Sequence, residues 1–265
     1  MNENLQPIDM NISCFARAAI SLIFLTSIAK AGPIKLDSDG GVNWGIRTAG
    51  EITDSPFVAQ IRLAANGSLI CSGAIFNHLY ILTTASCIEG YAPDELFVVV
   101  GLTELNDGTS YFLDEIKPHE GYSKNGISRS NDIAMLKLAR YLKYNEEVRP
   151  IRVPETWESG LEIAEGSTAI VNAWTAYKVL RKFLQTVSSI AYCRMSYSAL
   201  DLPISEFLLC ATTPPKENDE HGNSGSALVQ DSKLIGLMSW FVDGHPDVYT
   251  RVSLFAKWID EHNLE

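Results

Sequence analysis

The feature that most restricts the fold of this chain is a rhythm. Short strand-like runs, separated by stretches that carry Gly, Asn, Asp and Pro, recur from Ala59 to Val252. Ala59, Ile61 and Leu63 alternate with Gln60 and Arg62, the two-residue period of a strand with one buried face. Tyr80 to Ala85, Phe97 to Val100, Ile133 to Leu138, Ala169 to Val171, Ala227 to Val229, Leu234 to Met238 and Val248 to Val252 continue the series. Many strands of this length, separated by turn residues, predict an all-β chain whose sheets close on themselves or stack. At 265 residues and 46% hydrophobic content, the chain has enough apolar surface for one large domain or two packed subdomains.

The rhythm is broken once and ends once. Residues 139–165 are charged, carry Pro150 and Pro154 and show little periodicity, which predicts a connector between two β units. At the end, Ser253 is placed to cap a helix over about 253–262, with Phe255, Trp258 and Ile259 on one face, expected to dock on the second unit. There is no internal repeat, heptad run or low-complexity block.

The first thirty-one residues read as an address rather than as part of the fold. Arg17, the apolar run from Ala18 to Ile28 and Ala29-Lys30-Ala31 match the parts of a secretory signal, so 1–31 is expected to be removed and the protein to be secreted and extracellular. Met10 would serve as an alternative start with the same mature product. The run is well short of the ~20 apolar residues that span a bilayer. Cys14 falls in the removable part, leaving Cys71, Cys87, Cys193 and Cys210, an even set suited to two disulfides outside the cell. Asn66-Gly67-Ser68 fits the acceptor sequon for N-glycosylation. A net charge of −11 disfavours nucleic acid and anionic membrane as partners. Glu155, Glu158, Glu162, Glu165, Glu217, Asp219 and Glu220 would suit a basic protein partner, although a solvated acidic surface is the simpler reading.

Three segments carry chemistry when read in order: Leu82-Thr83-Thr84-Ala85-Ser86-Cys87, Asn131-Asp132-Ile133-Ala134-Met135-Leu136 and Gly222-Asn223-Ser224-Gly225-Ser226-Ala227-Leu228-Val229. With Ser239-Trp240 and Pro246-Asp247-Val248-Tyr249-Thr250-Arg251-Val252, they resemble the trypsin and chymotrypsin-like serine proteases, and the resemblance runs from about Thr48 to the C-terminus. It implies two Greek-key, six-stranded β-barrels with the catalytic groups in the cleft between them: a first barrel over about 48–138, a second over about 166–252, and before them a short pro-segment, 32–47, ending at Arg47, where an activating cleavage would fall. It also implies the disulfides Cys71–Cys87 and Cys193–Cys210.

The same resemblance marks departures. Ser86 stands where the family has its catalytic histidine, while Asp132 and Ser224 match the other two triad positions. A serine hydroxyl cannot take a proton near neutral pH as an imidazole does, so no functional catalytic residue is expected. Asn223 replaces the aspartate that pairs with the amino terminus freed by activation, and Thr48-Ala49-Gly50-Glu51 is a poor match to the usual Ile-Val-Gly-Gly. Gly222 and Ser224 keep the backbone positions of an oxyanion hole. Phe241 and Asp247 replace glycines of the specificity pocket and are expected to fill it, and Asn218 offers no acidic determinant at its base. His221, near Ser224 in sequence, belongs on the cleft rim. His78, His119, His245 and His262 lack metal-ligand spacing, and Leu102 follows Gly101 where a calcium loop would need oxygen, so neither metal nor other cofactor is expected.

The function implied is that of a secreted, non-catalytic homologue of the arthropod type, a regulator, cofactor or decoy that binds extracellular proteins such as proteases, inhibitors or pathway components. The rival is a residual or substrate-assisted endopeptidase in which a histidine of the bound peptide serves Ser224. A third reading is a decoy that occupies protease inhibitors.

Overall fold

The computed structural model describes residues 48–49, 52–102, 108–159, 163–174, 179–213 and 221–263. The expected signal 1–31 with Cys14, the segment 32–47 with Arg47, and Glu162, Glu217, Asn218, Asp219 and Glu220 lie outside them. In chain order the described strands begin with β1 (Thr48–Ala49), β2 (Val58–Leu63), β3 (Leu69–Ile75), β4 (Tyr80–Thr83) and β5 (Leu96–Val100). They continue with β6 (Thr109–Pro118), β7 (Ser123–Asn125), β8 (Ser128–Ser130), β9 (Ala134–Leu138) and β10 (Thr168–Trp174). The last are β11 (Leu180–Ser188), β12 (Leu208–Thr212), β13 (Ala227–Gln230), β14 (Lys233–Trp240) and β15 (Asp247–Arg251). The α-helices are short: α1 (Ala85–Ile88), α2 (Ile190–Ser198) and α3 (Ala256–His262).

Two closed antiparallel barrels result, as the sequence predicts. The first runs β2-β3-β4-β9-β6-β5, and β5 returns to β2 from Ala59↔Val100 to Leu63↔Leu96. The second runs β11-β10-β13-β14-β15-β12, and β12 closes on β11 from Thr186↔Thr212 to Ser188↔Cys210. Closure gives every strand of the two barrels a partner on each side. The two-residue period then divides each strand between two cores. In β4, Ile81 points into the first barrel while Tyr80 and Leu82 point out of it; in β9, Leu136 points in while Met135 points out. The outward set joins Ala227, Leu234 and Leu237 of the second barrel in one buried layer.

Several elements differ from expectation. β1 does not open the first barrel but pairs with β11 of the second, Thr48↔Lys182 and Ala49↔Arg181. The C-terminal helix starts at Ala256, because residues 252–255 form a 3-10 turn; Ser253 is not its cap, and its hydroxyl is buried without a hydrogen bond. Nor does the helix dock on the second unit alone. Phe255, Trp258 and Ile259 bury against Tyr80, Leu82 and Met135 of the first barrel as well as Leu234 and Leu237 of the second. The connector supplies a similar stitch, since the Ile151 N–H donates to the Ile75 carbonyl and the Leu234 N–H to the Arg152 carbonyl.

Cys71 is joined to Cys87 and Cys193 to Cys210, with Cα separations of 6.0 and 6.2 Å, as the resemblance implies. Asn66 sits exposed on the β2–β3 turn, where its side-chain oxygen accepts from the Ser68 N–H at 3.0 Å and Gly67 takes φ +70°. Among the described residues no helix is long and apolar enough to cross a membrane.

Candidate functional site

The fold brings Ser86, Asp132 and Ser224 together from three separate places. Ser86 lies on α1, the single turn that leaves β4, and the disulfide at Cys87 ties that turn back to β3. Asp132 lies between β8 and β9, after Asn131, whose φ of +50° falls in the left-handed region that asparagine tolerates better than most residues. Ser224 lies on the segment entering β13.

Their contacts form a chain of hydroxyls ending on a carboxylate. The Ser86 hydroxyl donates to Asp132 Oδ2 at 2.8 Å, and its N–H donates to Oδ1 at 2.7 Å. The same hydroxyl is 3.4 Å from Ser224 Oγ, which also shares a 2.7 Å hydrogen bond with Thr84 Oγ1. Thr84 holds the position before α1 where a threonine commonly caps the helix, but its hydroxyl caps nothing and turns to Ser224 instead. Asp132 is wholly buried, and the Ser239 hydroxyl donates to its Oδ2 at 2.5 Å. Burial pushes the Asp132 carboxyl above the ordinary aspartate range, against the pull of these hydrogen bonds and of Arg129. Arg129 reaches the same place from β8, with Nε 4.0 Å from Asp132 Oδ2 and Nη1 donating to the Ser239 carbonyl at 2.5 Å.

This arrangement holds Ser224 beside two hydroxyls, those of Thr84 and Ser86. Its described side-chain neighbours are hydroxyls, which do not act as bases near neutral pH. Both Asp132 oxygens are already engaged by donors from the chain.

The Ser224 segment is stitched to both barrels. The Ser72 N–H, on β3, donates to the Ser224 carbonyl at 2.9 Å, and the Gly225 N–H donates to the Met238 carbonyl, on β14, at 2.8 Å. Asn223 presents one side-chain oxygen to two hydroxyls, Ser72 at 2.7 Å and Ser226 at 2.8 Å. Two glycines permit the approach. A Cβ on Gly225 would lie 2.0 Å from the Ser72 carbonyl oxygen and φ there is +79°; a Cβ on buried Gly222 would lie 2.9 Å from that of Ser226.

The pocket positions converge on a second network. Asp247 is 2% exposed; its Oδ1 lies 2.7 Å from His221 Nδ1, and its Oδ2 accepts from Gln185 Nε2 at 2.5 Å. The Tyr249 hydroxyl donates in turn to Gln185 Oε1 at 2.8 Å. Phe241, 42% exposed, stacks on His221 with centroids 3.9 Å apart. His221 therefore contacts Asp247 and Phe241. A chain imidazole lies against the carboxylate of this region, and an aromatic ring lies over the imidazole.

The sequence singled out Ser86, Asp132, Ser224, Gly222, Asn223, Phe241 and Asp247 but not the groups that hold them. Thr84 and Ser239 lie inside segments already quoted, where a hydroxyl beside a triad position was the available signal. Arg129, Ser72 and Gln185 gave none, because hairpin and register place them. No cluster of three or more His, Cys, Asp or Glu fit to hold a metal occurs among the described residues.

Comparison with known proteins matches residues 46–259 to a family model described as Trypsin. A vitellin-degrading protease of Bombyx mori is 30% identical over 80% of this chain and 82% of its own. Trypsin epsilon of Drosophila erecta is 29% identical over 84% of this chain and 87% of its own. Among solved structures, a scabies mite inactivated protease paralogue superimposes with a TM-score of 0.71 at 23% identity, covering 81% of this chain and 97% of the other.

Proposed function

The chain belongs to the trypsin family of serine proteases, and from that premise we propose that it is a secreted member that binds other extracellular proteins and does not cut them. One observation carries the reading: the group between Asp132 and Ser224 is the Ser86 hydroxyl. Acyl transfer needs a group that takes the serine proton and returns it to the leaving amine. In a comparable serine protease that serves as a standard example, loss of the histidine costs roughly a million-fold in turnover. The relatives from Bombyx and Drosophila are named as a protease and a trypsin, and the mite protein as an inactivated protease, so the reading rests on Ser86 rather than on membership. Phe241 and His221 over Asp247 support it from the side of substrate binding.

The substrate-assisted alternative needs an incoming imidazole to bond Asp132. It would have to displace the Ser86 hydroxyl, so the geometry favours binding over assisted cutting. The test is a fluorophosphonate probe on the purified secreted protein, with Ser224→Ala as control and an active trypsin alongside. No adduct on Ser224 is expected; an adduct there would overturn the proposal.

A further inference from the structure

We infer that the Ser224 segment is ordered by a clamp built into the chain, Ser72–Asn223–Ser226, and not by any chain end freed by cleavage. The inference deepens the binding role just proposed and rests on it, since a surface used for binding must be assembled in the form that is secreted.

Asn223 is the centre of the clamp. Its amide oxygen has two lone pairs, and the hydroxyls of Ser72 and Ser226 supply two donors, at 2.7 and 2.8 Å. Both serines are wholly buried, so water does not compete for the bonds. A neutral amide needs no counter-charge in such a place, whereas a carboxylate would. Three backbone bonds complete the clamp: Ser226 N–H to the Asn223 carbonyl, Ser72 N–H to the Ser224 carbonyl and Gly225 N–H to the Met238 carbonyl.

Cleavage after Arg47 would leave Thr48 at the new chain end. Thr48 is paired in β1 with Lys182, Lys182 with Asn172, and Asn172 with Ala227. These four positions form a row across adjacent strands, so Thr48 starts about 14 Å along the sheet from Ala227 at the usual strand spacing. A freed amine would have to leave that pairing and then displace donors that already fill the Asn223 oxygen.

Hydrogen exchange tests the clamp on the secreted protein, once with the bond after Arg47 intact and once with it cleaved. The amides of Ser72, Gly225 and Ser226 should be equally protected, within twofold, in the two forms. Protection that rises tenfold or more on cleavage would overturn the inference. In the intact form, Ser72→Ala combined with Ser226→Ala should lower protection of the Gly225 and Ser226 amides by about 30-fold, the equivalent of two hydrogen bonds of ordinary net strength, with the Ile81 and Leu136 amides unchanged. Unchanged exchange at Gly225 and Ser226 would equally defeat it. Should the double variant fail to fold, Ser226→Ala alone reads the same amides, with about a fivefold loss expected. Fluorophosphonate labelling of Ser224 would end the binding proposal without altering exchange, so the two failures are distinguishable.

Discussion

A hydroxyl in the place of an imidazole changes what the buried carboxylate beside it does. Asp132 makes the contacts of an orienting group, yet what it orients is the Ser86 hydroxyl, which does not titrate near neutral pH as an imidazole does. Its environment also resists ionisation, because burial raises its pKa, and the charged form is sustained by Ser239, Ser86 and the nearby Arg129 guanidinium. These residues lead to a direct reconstruction. Ser86→His would place an imidazole against Asp132 and within reach of Ser224, so the variant should gain fluorophosphonate labelling at Ser224. Peptide turnover should stay at background, because Phe241 and His221 still cover Asp247. Labelling measured by mass spectrometry together with a fluorogenic peptide panel checks both halves. The place of Ser86 beside Asp132 and Ser224 was legible in the sequence because it depends on one residue type in one motif. Arg129 and Ser72 were not legible as site residues, since their contacts with the Ser239 carbonyl and Asn223 span 110 and 151 positions of chain and are created by strand register.

What the sequence reveals of each element depends on how many of its faces are buried. β4 and, save at Lys137, β9 are covered on both sides and read as mainly apolar runs, which is why Tyr80 to Ala85 and Ile133 to Leu138 stood out. β6 is mostly exposed and carries Asp114, Glu115 and Lys117, and β11 begins with Leu-Arg-Lys; both escaped a search for apolar runs. β3 is interrupted by Ser72 and Gly73, and a side chain on Gly73 would strike Ile81 and the Leu82 backbone. Helix α3 shows the opposite limit: its apolar face was legible, but not the two barrels it spans. The polar side of its docking site contains His119, which packs against Phe255 and Trp258, and Glu120, which accepts from Trp258 Nε1 at 2.8 Å and lies 3.4 Å from His262 Nε2. Burial is the main cause lowering the His119 pKa below its ordinary 6.5; a backbone hydrogen bond, then the bond from Trp258, lowers Glu120 below 4.5. Both groups bind protons more weakly when folded than when unfolded, so both contributions to stability are full at neutral pH and decline on acidification. For His119 the decline begins near pH 6.5 and for Glu120 near 4.5. Trp258 fluorescence should therefore report loosening of α3 between pH 7 and 5, and His119→Gln should flatten that part of the curve. A wild-type curve that is level from pH 7 to 5 would contradict the assignment.

At the scale of the whole molecule, each disulfide lies inside one barrel, and the barrels are joined by apolar packing, the connector and the two ends of the described chain. β1 attaches to the second barrel before the chain enters the first, and α3 returns to the first after the second is complete. The end carries a large share of the stability. Burying Phe255, Trp258 and Ile259 contributes roughly 1.5–3 kcal/mol each, a sum comparable with the net stability of an ordinary domain. A chain stopped after Leu254 should therefore bind a hydrophobic dye strongly and melt without a sharp transition; a cooperative melt near that of the full chain would show that the helix contributes little. The same clasp sets an order on biosynthesis. As the polypeptide emerges, Tyr80, Leu82 and Met135 lack the cover of Phe255, Trp258 and Ile259 until on the order of ten seconds after the first barrel's last strand at ordinary translation rates. During that interval apolar surface on the first barrel stays partly open, and α3 with the turn before it closes the layer.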